Sequence, residues 1–298
     1  MIYNGVEVFT SEVLGPIGFF YGGMNPTFSN VITRINYDGY MQSTESYGGS
    51  ARVYLAGSKV GNNAVFYGAS TSSNTVTYFS IGTGITETSA GTGRGYFSGA
   101  STTNCGIYFG GYLSGYVMTN KVTRLTQTGA LYGSETTIGT ANILTIGCGS
   151  ADGISGIFYG GKDTNGALTT IRTINSSGTQ SSIVSFSSND ALVDGAGALA
   201  NTRALFYGGK DYNNNDTDKL VGIEGNNISA LYTTSKGTAR FNLAGASAGN
   251  NAVFYGGTES IYLQYLNMTT VINSNMGLVK VESSLGTGRR GLAGAGSF

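Results

Sequence analysis

Gly249-Asn250-Asn251-Ala252-Val253-Phe254-Tyr255-Gly256-Gly257 decides how this chain is read. A turn signal leads into a short apolar run, and paired glycines stop it. The closing tetrapeptide returns as Phe20-Tyr21-Gly22-Gly23, Phe158-Tyr159-Gly160-Gly161 and Phe206-Tyr207-Gly208-Gly209. Two variants, Phe66-Tyr67-Gly68-Ala69 and Tyr108-Phe109-Gly110-Gly111, complete the set. Its first glycine stands at 22, 68, 110, 160, 208 and 256, in steps of 46, 42, 50, 48 and 48 residues. Six copies at a near-constant step across 298 residues mark a solenoid, a propeller or an array.

The sixth repeat serves as template. Arg240-Phe241-Asn242-Leu243-Ala244-Gly245-Ala246 reads as a first strand of small residues, and Ala252-Val253-Phe254-Tyr255 as a second. Residues 261–268 read as a third strand, and Val271-Ile272 with 278–281 as a fourth. The other repeats follow the same order, and no helical period is sustained. Third and fourth strands form hairpins that turn at Asp38-Gly39 and Thr128-Gly129, which sets Arg34 opposite Glu45 and Arg124 opposite Glu135.

Four strands in each of six repeats predict an all-β, six-bladed β-propeller. The Val-Phe-Tyr strand is apolar on both faces, as a blade covered by neighbours on both sides requires. First strands are rich in Gly, Ala and Ser because they crowd at the axis. Residues 290–296 are a first strand with no second, and 17–23 are a second strand with no first. The C-terminal strand is therefore expected to join the N-terminal blade and close the ring, leaving no open edge. This assigns 17–298 to the propeller. Residues 1–16, with the alternating Val6-Glu7-Val8-Phe9-Thr10, are either an arm that tethers another protein or an extra outer strand.

Lys and Arg number 16, as do Asp and Glu, so net charge draws the chain to neither nucleic acid nor anionic lipid. Charged residues make up 11%, roughly half the usual share. The surface is thus expected to hydrogen-bond through Ser, Thr, Asn and Tyr. No run of 18 apolar residues suggests membrane insertion. The start, Met1-Ile2-Tyr3-Asn4-Gly5, lacks the basic and apolar regions of a secretory signal. Cys105 and Cys148 are each expected inside a strand, as small buried thiols or, alternatively, as a disulfide.

Histidine is absent, and no Ser-His, Cys-His or Cys-x-x-Cys arrangement occurs. Asp152 and Asp194 come nearest to a carboxylate pair and read as turn or strand-end residues. No catalytic residue, cofactor or metal is expected. Recognition is expected on the loops between second and third strands, at 24–29, 112–120, 162–166 and 210–218, which vary most. They carry Tyr112, Tyr116, Lys162, Asp163, Lys210, Asp211 and Tyr212. Connections between blades share that face and bear Arg52, Arg94, Arg240 and Arg290. The stretch from Asp211 to Asp218 starts like a calcium loop but lacks its central glycine and has Gly222 where the twelfth-position glutamate belongs.

An apolar run ending in Gly-Gly, once per blade, resembles the Kelch propeller family, although this chain has no tryptophan. Three blocks resemble more closely the kelch-like repeat proteins of tailed bacteriophages: Gly-Thr-Ala-Arg-Phe-Asn-Leu-Ala-Gly-Ala, Gly-Asn-Asn-Ala-Val-Phe-Tyr-Gly-Gly, and Val-x-Arg-Ile-Asn-x-x-Gly. The resemblance implies a virion structural or adhesion protein of tail fibre, tail or capsid surface, assembled in the host cytoplasm. Other virion proteins, a host-surface glycan or receptor, and further copies of the chain are the partners it implies. A lectin-like carbohydrate-binding propeller and a Kelch-type propeller enzyme are the alternatives.

Overall fold

The tetrapeptide is the joint between neighbouring blades, and each of its four residues has a separate task. The computed structural model describes residues 2–3, 6–7, 15–80, 84–224, 227–228, 231–282 and 285–296. Among these are six antiparallel four-stranded sheets, numbered here as blades 1 to 6 in the order of their second strands. Those strands are Ile17–Tyr21, Asn63–Tyr67, Gly106–Phe109, Ser155–Tyr159, Arg203–Tyr207 and Asn251–Tyr255. The glycines that follow leave the strand with positive φ, as at Gly22 (73°) and Gly23 (97°), a backbone that side-chain-bearing residues avoid.

The N–H of the second glycine, or of Ala69, donates to the carbonyl of the segment entering the next blade. The six bonds run from Gly23, Ala69, Gly111, Gly161, Gly209 and Gly257 to residues 52, 94, 142, 192, 240 and 289, at 2.7–3.0 Å. The tyrosine hydroxyl donates to a carbonyl of that same segment, from Tyr21 to Ser50, Tyr67 to Thr92, Tyr159 to Asp190, Tyr207 to Thr238 and Tyr255 to Thr287. Its ring meets the aromatic residue of the next blade's second strand. The pairs Tyr21–Phe66, Tyr67–Tyr108, Phe109–Phe158, Tyr159–Phe206, Tyr207–Phe254 and Tyr255–Phe20 lie 5.1–5.6 Å apart and return to their starting point. Aromatic pairs of this kind add about 0.5–1.5 kcal/mol beyond simple burial.

The inner strands, Ala56–Val60, Ser98–Ser101, Ile146–Gly149, Ala196–Ala200, Ala244–Ala248 and Ala293–Gly296, pack side by side in a closed circuit. One glycine from each makes the close approach: Gly57, Gly99, Gly147, Gly197, Gly245 and Gly294. A Cβ on any of them would come closer than 3.0 Å to the carbonyl oxygen of the preceding glycine in the ring. Ring closure is by Ala293–Gly296, which pairs with Ile17–Tyr21 through Gly18↔Gly296, Phe19↔Ala295, Phe20↔Gly294 and Tyr21↔Ala293.

Buried arginines fill the seams between blades. Arg52 donates to the carbonyls of Gly68 (3.0 Å) and Thr75 (2.8 Å), and its guanidinium lies 5.5 Å from the Tyr21 ring. Arg94 reaches the Tyr108 carbonyl and Thr123 Oγ1. Arg289 reaches Gly22 and Val31. In blade 4 the equivalent position is Asn142, and the guanidinium comes from the third strand instead, as Arg172 over the Phe109 ring at 4.9 Å. Blade 5 uses Leu192 and Val221, an apolar solution to the same seam.

Several expectations need correction. Thr33 faces Glu45 and Thr123 faces Glu135, so Arg34 and Arg124 are one residue out of the expected register. Ile35 bridges Met41 while Ile32 pairs with Ser46, and the extra residues in the outer strand cause the shift. In blade 6 the third and fourth strands are Thr269–Asn273 and Leu278–Glu282, and 261–268 is a loop. Cys105 lies one residue before its strand, and both cysteines are free and buried. At the N-terminus Ile2–Tyr3 pairs with Val6–Glu7; residues 8–10 of the alternating stretch lie outside the described residues.

Candidate functional site

Two positions before the start of each inner strand, one residue in the left-handed region lines the mouth of the axial cavity. These are Tyr54, Tyr96, Leu144, Asp194, Asn242 and Gly291, with φ of 54–64°. Each donates its backbone N–H to the carbonyl of its counterpart in the preceding blade, at 2.7–3.1 Å, and the six bonds close on themselves. Such a backbone favours glycine, yet five of the six positions carry a side chain.

From this ring a chain of aromatic contacts runs outward. Tyr54 and Tyr96 stack at 4.2 Å, Tyr96 meets Tyr112 edge-on at 5.8 Å, and Tyr112 meets Tyr116 at 5.7 Å. Tyr116, 77% exposed, is the outermost of the four. Across the mouth, a cleft of about 330 Å³ is lined by Leu144, Lys162, Asp194, Lys210, Asp211 and Tyr212 among others. Asp194 and Leu144 belong to both the cleft and the axial cavity. Burial pushes the Asp194 carboxyl up to about 7, against the opposing pull of Lys210, Lys162 and Arg290. Burial likewise raises Tyr96 to about 12, with the neighbouring Tyr54, Tyr116, Asp194 and Tyr112 adding to the shift.

The backbone explains why these residues meet. In five of the six blades the loop after the second strand bridges to the entry of its own inner strand, in Met24↔Arg290, Gly95↔Tyr112, Ile143↔Lys162, Val193↔Lys210 and Phe241↔Thr258. Lys210 is held by Asp216 (2.9 Å) and Ser260 (2.8 Å) and lies 4.1 Å from the Phe241 ring centre. Asp163 and Asp211 spend an oxygen on the backbone of their own turns, at Asn165 and Asn215. Arg290 sits over the Tyr265 ring at 5.5 Å.

Structure and expectation part company over the other arginines. Arg52, Arg94 and Arg240 are 4%, 0% and 0% exposed and lie in the seams, not on the loop face. Seam tyrosines and carbonyls draw them inward, and a charge on a connecting segment says nothing of its direction. In the Asp211 to Asp218 stretch, Asp216 already accepts from Lys210 and Ser260 on either side of it. Among the described residues no group of three or more His, Cys, Asp or Glu could hold a metal. Asp152 belongs to the turn at the far end of the channel from Asp194, so the two carboxylates are not brought together.

Sequence reasoning missed Tyr54, Tyr96 and Asn242. Their only signal is an offset, each standing two residues after a seam arginine. The loop residues Ile261, Tyr262 and Leu263, all more than 60% exposed, were concealed by an expected strand. Among the described residues no helix is long and apolar enough to cross a membrane. No protein-family model matches this chain, and no curated protein matches it.

Proposed function

We propose that this chain is a non-enzymatic recognition propeller on the surface of a phage particle, on tail or capsid, whose loop face binds a virion partner or the host surface. One observation carries the recognition role. Six blades of one construction hold six unlike loops around one mouth, where four tyrosines in contact face a cleft of lysines and aspartates. Tyrosine supplies wide contact at low entropic cost, and a rigid scaffold displaying variable loops is the usual design of a binding surface. The particle setting rests on the repeated sequence blocks and on a surface poor in charge.

The test uses fluorescently labelled chain and intact host cells, beside electron microscopy of purified particles. Joint alanine substitution of Lys162, Asp163, Lys210, Asp211 and Tyr212 is expected to abolish binding with the fold intact. Undiminished binding would falsify the loop-face assignment. Particles without density for the ring would remove the virion setting.

A further inference from the structure

Each blade ends in an outer strand whose free edge turns N–H and C=O groups to solvent, and proteins ordinarily guard such edges. Five of the six described outer strands carry a guard. Those of blades 1 and 3, Ser46–Tyr47 and Thr136–Thr137, are two residues long. Those of blades 4 and 6, Gln180–Ser185 and Leu278–Glu282, are interrupted by a shift of register. That of blade 5, Leu231–Ser235, runs into Lys236, and an edge lysine blocks pairing. Blade 2 has none of these devices. Its outer strand, Gly84–Ser89, pairs with Thr75–Ser80 over six residues without a break, and all six are exposed. From 70 to 93 the sequence holds one charged residue, Glu87, and no proline. That carboxylate is already engaged, accepting from the Ser50 N–H, Ser50 Oγ and Thr77 Oγ1 at 2.7 Å each.

We propose that the outer strand of blade 2 is a pairing edge for a second copy of this chain, Gly84–Ser89 of one copy joining Gly84–Ser89 of the other antiparallel about a two-fold axis. The two four-stranded blades then make one continuous sheet. Two-folds pass between opposed residues of an antiparallel pair, so such an edge complements itself and the assembly closes at two copies. Charge sets the register. With Thr86 opposite its own copy, Ile85 faces Glu87 and Gly84 faces Thr88. Moving the axis by one residue would set Glu87 against Glu87, and like charges in direct opposition destabilise a pair. Area sets the strength. An edge about 20 Å long covers less than the roughly 800 Å² per partner of a standard interface. Ile85, 39% exposed and beside Gly48, and Tyr47, 69% exposed, extend it on the blade 1 side. The sum fits a pair that forms at roughly micromolar concentration. The outer rim lies apart from the loop face, so this pairing stands or falls independently of what the loops bind.

Analytical ultracentrifugation of the full chain tests this, over roughly 1 to 100 μM, the range around that affinity. The mass is expected to rise from 30.8 kDa toward twice that value. Thr86→Lys sets like charges across the axis and is expected to weaken association by roughly tenfold or more. Position 86 is exposed, so the melting temperature should hold. Thr86→Cys, oxidised with copper–phenanthroline, is expected to give a disulfide-linked dimer, since the native Cys105 and Cys148 are buried. Ser182→Cys, exposed on the guarded outer strand of blade 4, should stay unlinked. The pair of cysteine variants decides the matter even if Thr86→Lys fails to fold. Four outcomes overturn the assignment: the chain stays monomeric throughout, it grows beyond two copies, folded Thr86→Lys associates as the parent does, or Ser182→Cys links as readily as Thr86→Cys.

Discussion

Position 194 bears a cost that position 291 avoids. Both sit in the left-handed ring, but one is an aspartate and the other a glycine. Because burial lifts the Asp194 carboxyl to about 7, the folded chain holds its proton more tightly than the unfolded chain does. Its permissive effect on stability is complete below about pH 4 and is lost as pH rises through about 7. Contact with water in the channel reduces that loss. Glu87 and Glu135 act in the opposite sense. Burial raises each, but hydrogen bonds from Thr77 and Ser50, and from Thr123 and Thr92, outweigh it and leave both below their ordinary values. Their contribution is present above about pH 4.3 and fades on acidification. Melting curves across this range should show the parent losing stability relative to Asp194→Gly between about pH 4 and about pH 7. Parallel curves would contradict the burial of that carboxyl. The inner glycines give a second outcome at this scale. Gly147→Ala would drive a Cβ into the Gly99 carbonyl, and urea denaturation should show a loss of about 1–3 kcal/mol.

Strands and loops differ in how far they can be read from residues alone. The second strand is legible because its pattern is redundant, with both faces apolar, two glycines at its end and six copies to compare. The outer hairpins are less so. A bulge of extra residues shifts Glu45 from Arg34 to Thr33, and nothing in the composition of a polar turn announces it. Residues 261–268 look like a strand because Ile261, Tyr262 and Leu263 are apolar or aromatic, yet they form the exposed connection of blade 6. Joint substitution of Ile261 and Tyr262 by serine should therefore change stability by less than about 0.5 kcal/mol, the range of surface changes. A larger loss in thermal denaturation would show that the loop packs against something. The mouth residues were the hardest to foresee. Tyr54, Tyr96, Leu144, Asp194, Asn242 and Gly291 share a conformation and no chemistry, so only the backbone reveals them as a set.

For the whole molecule, closure is the decisive feature, and it was legible because each end lacked what the other supplied. Glu45 of blade 1 accepts from the Thr287 N–H at 3.0 Å, and Arg289 from the same segment enters the blade 1 seam. Removing residues 290–298 strips the inner strand from Ile17–Tyr21 and opens the circle there. The melting temperature should fall by roughly 10 °C or more, or the protein should aggregate through the bared edge. An unchanged curve would mean that closure contributes nothing.

The hydrogen-bonded circle at the mouth also limits how such a gene can change. Every donor in it points the same way round, and each needs the carbonyl of one particular neighbour. A duplication or deletion of one repeat would change the angle that every remaining unit must subtend, so copy number cannot drift by single steps as it does in an open stack. Variation is therefore channelled into the loops, which can diverge without disturbing the count.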